Sequence, residues 1–136
     1  MQILNAAYVD VRQFHLVFGH PVADSPTLQN ADRANARADW MAEEVQELRD
    51  AATIAEQVDA YIDVIYFAFG GLVEIGVEPS AVWELVHGAN MAKLQPDGSV
   101  LRREDGKIIK PADWVAPDAA IAREIDRQIA IAAKPL

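Results

Sequence analysis

The apolar positions of the chain recur mostly at helical spacing, and this pattern predicts an all-α fold. A first helix is expected from about Ala6 to Phe18, because its aromatic and aliphatic residues fall on one side. The stretch "DSPT" then predicts the start of a second helix, with Ser25 as the N-cap and Pro26 at the first helical position. That second helix would carry Arg33 and Arg37 beside its apolar positions.

Three further helices are predicted downstream. The third, from about Ile54 to Gly76, opens with a capping box formed by Thr53 and Glu56. Its second half is apolar nearly all round, which is typical of a helix at the centre of a bundle or at a subunit interface. A fourth helix is expected from Ser80 to about Lys93, and a last one from about Asp118 to Ala133.

The stretch between the last two helices includes "QPDGSVLRREDGKIIKPADW", which has two Asp-Gly turns and alternates around "EDGK". This pattern predicts a short hairpin or extended flap near residues 96–114. Within the third helix, Gly70 and Gly71 would permit the close approach of another backbone. The whole pattern predicts a single domain, residues 1–136, built as a helical bundle of about five helices with one flap and forming an oligomer.

Composition and charge exclude several classes of protein. The chain of 136 residues is 51% hydrophobic and contains no cysteine, so it can bury a core but cannot form disulfides or thiolate metal sites. Its formal net charge of −9 disfavours binding to a nucleic acid polymer. The longest apolar run, residues 64–73, is too short to span a bilayer, and the first ten residues lack the basic region of a signal peptide. We therefore expect a cytoplasmic protein without a membrane partner.

Carboxylates accumulate just before the most apolar helix: eight acids and one base lie between residues 39 and 63. One side of the second helix carries Glu43, Glu44 and Glu47. On the third helix Glu56, Asp59 and Asp63 fall within about 60° of one another. Two antiparallel helices could present these acids to each other. Oxygen ligands without thiols suit Mg²⁺ or Mn²⁺, and such a cation would compensate the repulsion between the acids.

The simpler interpretation of this acidic stretch is a solvated helix face. Glu56 already has a sufficient role as a helix cap. Asp59 and Asp63 are harder to explain in that way, because they lead directly into the apolar half of their helix, where an unpaired carboxylate is costly. The residue pattern alone leaves both interpretations open.

The order of the motifs is nevertheless informative. "EEVQEL", followed by "DAYIDVIYFAFGGLVEIGV" and then "ANMAKL", resembles the MazG and phosphoribosyl-ATP pyrophosphohydrolase-like superfamily of all-α nucleotide pyrophosphohydrolases. The first motif of that superfamily, E-E-x-x-E, is matched at Glu43, Glu44 and Glu47. In its second motif, E-x-x-D, Asp63 matches the Asp, while the Glu position holds Ala60, which is a departure.

Asp59, one turn before Asp63, supplies the missing carboxylate in this interpretation. A branch with D-x-x-x-D at this place is a better match than MazG itself, and it is similar also in "FHLVFGHPVADSPT" and "DGSVLRREDGKIIKPADW". The alternative register, with Glu56 and Asp59 as E-x-x-D, leaves Asp63 unexplained. The resemblance covers roughly residues 11–118.

The resemblance implies hydrolysis of a nucleoside triphosphate between its α- and β-phosphates, which gives a monophosphate and pyrophosphate in nucleotide-pool clean-up. It implies a Mg²⁺ cofactor, with Mn²⁺ also possible, held by Glu44, Glu47, Asp59 and Asp63. The implied catalytic residues are Glu43 and Glu47. Glu43 would accept the proton of the attacking water or bind a further ion. A homodimer or homotetramer is implied as well.

Substrate contacts are implied outside the acids. Asn90 and Lys93 match the family's polar pair at the end of the fourth helix, where phosphates would lie. Bases of the flap could close over the substrate, in the same chain or across subunits: Arg102, Arg103, Lys107 and Lys110. His15 resembles a histidine of this branch, and it is a candidate to hold the base together with Phe14, Phe18 and Trp40. The sequence does not separate dUTP, dCTP, damaged purine triphosphates or phosphoribosyl-ATP as the substrate.

Two rival interpretations remain. "ELVH" gives Glu84 and His87 the E-x-x-H spacing of di-iron bundles, but that architecture needs two such motifs and the chain has one. The non-enzymatic rival is an acidic helical interaction module that oligomerises through residues 61–73. It differs from the enzyme in that neutralising Glu47 or Asp63 would leave its function intact.

Overall fold

A computed structural model of the chain describes residues 2–135, and five helices account for most of that range. The helices are α1 Gln2–Phe18, α2 Ala31–Asp50, α3 Ile54–Ile75, α4 Pro79–Met91 and α5 Asp118–Ala132. No β-strand occurs among the described residues. The predicted all-α class and the number of helices are confirmed.

The α2–α3 hairpin is the framework of the molecule. The two helices run antiparallel and are joined by residues 51–53 alone. The predicted capping box is present: Glu56 N donates to Thr53 Oγ1 (3.2 Å), while Thr53 N and Ala52 N donate to Glu56 Oε2 (2.9 and 2.7 Å). The cap starts α3 within one turn of the end of α2, so the acidic ends of both helices are held side by side.

The predicted start of α2 at Ser25 is wrong. The helix begins at Ala31, and its N-cap is Asn30. The residues between α1 and α2 instead cross the C-terminal end of α3, where Thr27 N donates to Ile75 O at 2.9 Å. With Ser25 as the N-cap, Thr27 N would be one of the donors available to the Ser25 side chain, but it is bonded to α3 instead. A tertiary hydrogen bond thus replaces the local capping interaction.

The core lies between α1 and α3. Tyr8 and Val11 of α1 pack against Phe69 and Val73 of α3, and Val73 has no exposed surface (0%). The prediction that α3 occupies the centre is thus confirmed for this face. Its opposite face remains open in the single chain, since Tyr61 is 58% exposed.

The α4–α5 loop, residues 92–117, does not form the predicted hairpin as two regular strands. It contains one isolated antiparallel bridge, between Arg102 and Ile108. Its turns lie at Gly98 and Gly106, both with φ of 83°. The loop therefore has the turns that the sequence predicted, with little of the strand pairing.

Within residues 2–135 no single helix is long and apolar enough to span a membrane. Only α3 and α4 taken together reach the required length and composition, and they are bent by 119° relative to each other.

Candidate carboxylate site

The α2–α3 hairpin brings the predicted acids of both helices around Glu44. Burial is the main reason that the pKa of Glu44 is raised, and the charges of Glu47, Asp63, Glu43 and Asp59 raise it further, in that order. All five carboxylates named from the motifs therefore belong to one electrostatic cluster. Below, we call these five residues the carboxylate cluster.

The charge of Glu44 is poorly compensated. Its Oε2 is buried and has no hydrogen-bond partner. A buried carboxylate oxygen without a donor is costly, and four neighbouring negative charges increase that cost. A cation at this point would satisfy both deficits.

The donor chemistry of the cluster fits a hard divalent cation, because every candidate ligand is a carboxylate oxygen. The spacing is more open than a finished metal site. Among the described residues no group of three or more His, Cys, Asp or Glu side chains is positioned to hold a metal ion. Beside the cluster lies an open groove of about 240 Å³, lined by Glu47, Asp50, Ala51, Glu56 and Asp59.

The structure also bears on the register of the second motif. Ala60 is 1% exposed, so the position of the family's Glu is closed against the core in this chain. Glu56 is engaged at the helix start, and the hydrogen bonds from Ala52 N and then Thr53 N hold its pKa below the usual value. Asp59 and Asp63 both act on Glu44. This geometry favours Asp59 and Asp63 over Glu56 and Asp59.

A second charged cluster, which sequence reasoning missed, lies further along the same two helices. Glu74 is 7% exposed, yet it accepts hydrogen bonds from Arg33 Nε (2.9 Å) and Nη2 (2.6 Å), Arg37 Nη1 (2.8 Å) and Gln29 Nε2 (2.6 Å). Burial alone would raise the pKa of Glu74, but the hydrogen bond from Arg33 and the charge of Arg37 keep it lowered. We call these four residues the buried ion cluster.

A signal for the buried ion cluster was present in the sequence. Glu74 is the lone charge in the apolar half of α3, and Arg33 and Arg37 are one turn apart on α2. A lone acid in an apolar helix must have a partner. The pairing itself spans 41 residues for Arg33 and 37 for Arg37, so local patterns could not identify it.

Gly70 of α3 lets Arg37 reach Glu74. A Cβ at Gly70 would overlap Arg37 Nη2 and would lie 2.9 Å from His15 Nε2. Arg37 Nη2 donates to Phe67 O at 2.7 Å as it crosses the helix. The glycine does permit close approach, as the sequence predicted, but the approaching group is a guanidinium and not a second backbone.

His15 lies at the edge of the buried ion cluster, not on an open surface. It is 3% exposed, and its Nδ1 donates to Pro21 O at 2.9 Å. Burial, together with the charge of Arg37, lowers the pKa of His15, so the ring is neutral near pH 7. His15 lines a small cavity of about 50 Å³ together with Trp40, Tyr66 and other rings. Two residues of its wall are each one helical turn from an acid of the cluster: Trp40 from Glu44 on α2, and Phe67 from Asp63 on α3.

The residues predicted to bind phosphate form no hydrogen bond with the carboxylate cluster in the part of the chain that the structure describes. Lys93 Nζ donates to Asn90 Oδ1 at 2.7 Å. Arg103 pairs with Asp105 at 2.6 Å. In the described part of the chain no ion pair joins Asn90, Lys93, Arg103, Lys107 or Lys110 to the carboxylate cluster. Their roles as substrate-binding residues therefore stay predictions.

The comparisons with known proteins agree with the motifs. Residues 11–90 match the family model of phosphoribosyl-ATP pyrophosphohydrolase. The chain is similar to a candidate NTP pyrophosphohydrolase from Exiguobacterium sp. 255-15 of known crystal structure. The identity is 34%, the match covers 93% of this chain and 98% of that one, and the TM-score is 0.53. None of the curated proteins matches. The chain therefore belongs to the phosphoribosyl-ATP pyrophosphohydrolase family, within the MazG-like superfamily of all-α NTP pyrophosphohydrolases.

Proposed function

We propose that the protein hydrolyses nucleoside triphosphates between the α- and β-phosphates, as a cytoplasmic enzyme of nucleotide-pool clean-up. The observation that carries the proposal is Glu44, whose buried Oε2 has no partner while four other carboxylates surround it. A protein gains nothing in stability from this arrangement. A bound divalent cation would supply the positive charge that the arrangement lacks.

Glu44, Glu47, Asp59 and Asp63 would hold Mg²⁺, or Mn²⁺ in its place. When bound, the ion supplies positive charge against the phosphate oxygens and lowers the pKa of a water molecule. The chain's own contribution is to bring the four carboxylates together, from the last turns of α2 and the first turns of α3. The three-residue connection between these helices fixes their distance.

Glu43 is the proposed general base. It is exposed on the same side of α2 as Glu44, so water can reach it. Its carboxylate would accept the proton of the attacking water. Glu47, also exposed, would contribute both to ion binding and to placing that water.

The nucleobase would lie against the small cavity beside the cluster. Trp40 precedes Glu44 by one turn of α2, and Phe67 follows Asp63 by one turn of α3, so the cavity and the cluster share a surface. Aromatic walls suit a planar base, and the buried ring of His15 would form part of the wall behind it. The triphosphate would then extend from the cavity toward the carboxylates, with Asn90 and Lys93 among the groups that bind it.

We also propose that the enzyme is a homodimer or homotetramer. The single chain exposes 9674 Å², whereas a folded monomer of this length exposes about 7,000 Å². An apolar groove of about 400 Å³ lies open between α3 and α4, and Trp83 on its wall is 56% exposed. A second copy would cover this surface. Size-exclusion chromatography with light scattering tests the proposal, and a monomer at micromolar concentration would contradict it.

The function is tested by pyrophosphate release from a panel of canonical and modified NTPs and dNTPs, with Mg²⁺, with Mn²⁺ and with EDTA. We expect metal-dependent release. Glu47→Gln and Asp63→Asn should each lower kcat/KM by roughly 100-fold or more, which corresponds to about 2.7 kcal/mol. The preferred base of the panel would identify the substrate.

The matched control is Glu84→Gln, because Glu84 is also an exposed helical carboxylate but lies on α4. It should leave the activity unchanged. Loss of activity in this variant would support the E-x-x-H alternative instead. A folded protein that neither binds Mg²⁺ nor releases pyrophosphate would be the acidic interaction module.

A further inference from the structure

At the foot of the α4–α5 loop two lysines lie over the ring of one tryptophan, Trp114. Trp114 Nε1 donates to Ala89 O at 2.7 Å, which fixes the indole on the last turns of α4. Lys110 Nζ lies 4.3 Å from the centre of the Trp114 ring, and Lys93 Nζ lies 5.7 Å from it. The Trp114 ring thus contacts one lysine from each end of the loop.

Among the described residues, neither of the two lysines is paired with a carboxylate. None of the ion pairs within residues 2–135 includes Lys93 or Lys110, although several arginines of the same range are paired with carboxylates. Lys93 donates only to the neutral amide oxygen of Asn90 among the hydrogen bonds that the structure shows. In a chain of net charge −9, two cations over one ring that form no ion pair with a described carboxylate are available for an external anion.

We propose that Trp114 is a positioning residue that holds Lys93 and Lys110 together as a seat for the pyrophosphate part of the substrate. The inference rests on the proposed function, since it assigns the polyphosphate tail to this seat. The face of an indole attracts an ammonium group and leaves its other N–H donors free. Two such groups at one ring match the charge of adjacent phosphates better than either lysine alone.

The first measurement is calorimetric titration with inorganic pyrophosphate in the absence of divalent cations, because the carboxylate cluster then repels the ligand and cannot contribute. The wild type should bind. Lys110→Met and Trp114→Leu should each weaken binding about tenfold, and Trp114→Phe, which keeps an aromatic face, by less than about threefold. Arg123→Met is the matched control, an exposed base on α5, and should bind as the wild type does.

The second measurement is steady-state kinetics with the best triphosphate. Trp114→Leu should raise KM about tenfold and change kcat by less than about threefold. A fall in kcat at constant KM would indicate a merely structural role and overturn the proposal. A nucleoside monophosphate that binds as tightly as pyrophosphate would overturn it as well, because the seat would then not select the leaving group.

The two proposals can fail separately. Pyrophosphate binding that depends on Lys110 and Trp114, in a protein without hydrolysis, would leave this seat standing and reject the proposed function. Hydrolysis with pyrophosphate affinity insensitive to both residues would reject this seat alone. If Trp114→Leu does not fold by circular dichroism, Lys110→Met decides, because it leaves the contact between Trp114 and α4 intact.

Discussion

Helices α2 and α3 carry two groups of buried or half-buried acids, and the two groups differ in compensation. At one end Glu74 accepts hydrogen bonds from two arginines and a glutamine. At the other end Glu44 has a buried oxygen without a donor and four like charges beside it. The same helix pair thus contains an acid with its partners inside the chain and an acid with a buried oxygen to which no described residue donates. We interpret the first as structural and the second as functional.

The largest effect is expected from breaking the buried ion cluster. Glu74→Gln removes the charge that Arg33 and Arg37 share, and should lower the free energy of unfolding by about 3–5 kcal/mol in urea titrations. Glu124→Gln is the matched control. Glu124 also accepts two hydrogen bonds from one arginine, Arg127, and one from Gln128, but Arg127 is 57% exposed. Its loss should cost about 1 kcal/mol or less. Equal costs would show that burial does not matter here.

The buried ion cluster should also make the protein sensitive to acid. The folded-state pKa of Glu74 is lowered from 4.5, so its stabilisation is present above that pH and is lost as the pH falls through the folded value. Unfolding measured between pH 7 and pH 3 should therefore show a steep loss of stability in the wild type. Glu74→Gln should reduce that slope, and an unchanged slope would contradict the assignment.

A smaller loss of stability is expected when Gly70 is replaced by alanine. Gly70→Ala places a methyl group on the guanidinium of Arg37 and should destabilise by about 2 kcal/mol, through displacement of the buried arginine. Gly71→Ala is the control one residue away. Its Cβ would meet only Arg37 Nε at 3.7 Å, so the better helix propensity of Ala should leave stability unchanged or raise it by up to about 1 kcal/mol. Thermal unfolding of both variants tests the contrast.

In the carboxylate cluster, removing a charge should raise the stability of the protein instead of lowering it. Glu44→Gln removes a poorly compensated charge and should raise the stability of the metal-free protein by a few tenths of a kcal/mol for each like charge nearby. Because the folded-state pKa of Glu44 is raised, its contribution is favourable below pH 4.5 and is lost as the pH rises through the folded value. The gain in the variant should therefore appear at neutral pH and vanish in acid. Mg²⁺ should raise the melting temperature of the wild type and not that of the variant.

How much of the structure could be predicted depended on how far apart in the sequence the interacting residues are. Thr53 and Glu56 are three positions apart, and their capping box was predicted correctly. Ser25 also had a local signal, but backbone hydrogen bonds to α3 decided its conformation. For the site, the motifs named the five acids, while only the fold shows that Glu44 is the one whose oxygen is buried. The partners of Glu74 could not be predicted, because packing brings them together from 37 and more residues away.

The short connection between α2 and α3 has a consequence for the order of folding. The carboxylate cluster consists of residues close in sequence, so it belongs to the local contacts that form early, whereas the contacts of Glu74 close longer loops. We therefore expect the like charges of the hairpin to come together before the packing of the core stabilises it. Stopped-flow refolding should then be faster for Glu44→Gln than for the wild type, at nearly equal unfolding rates. The carboxylate cluster would then slow the folding of the metal-free chain.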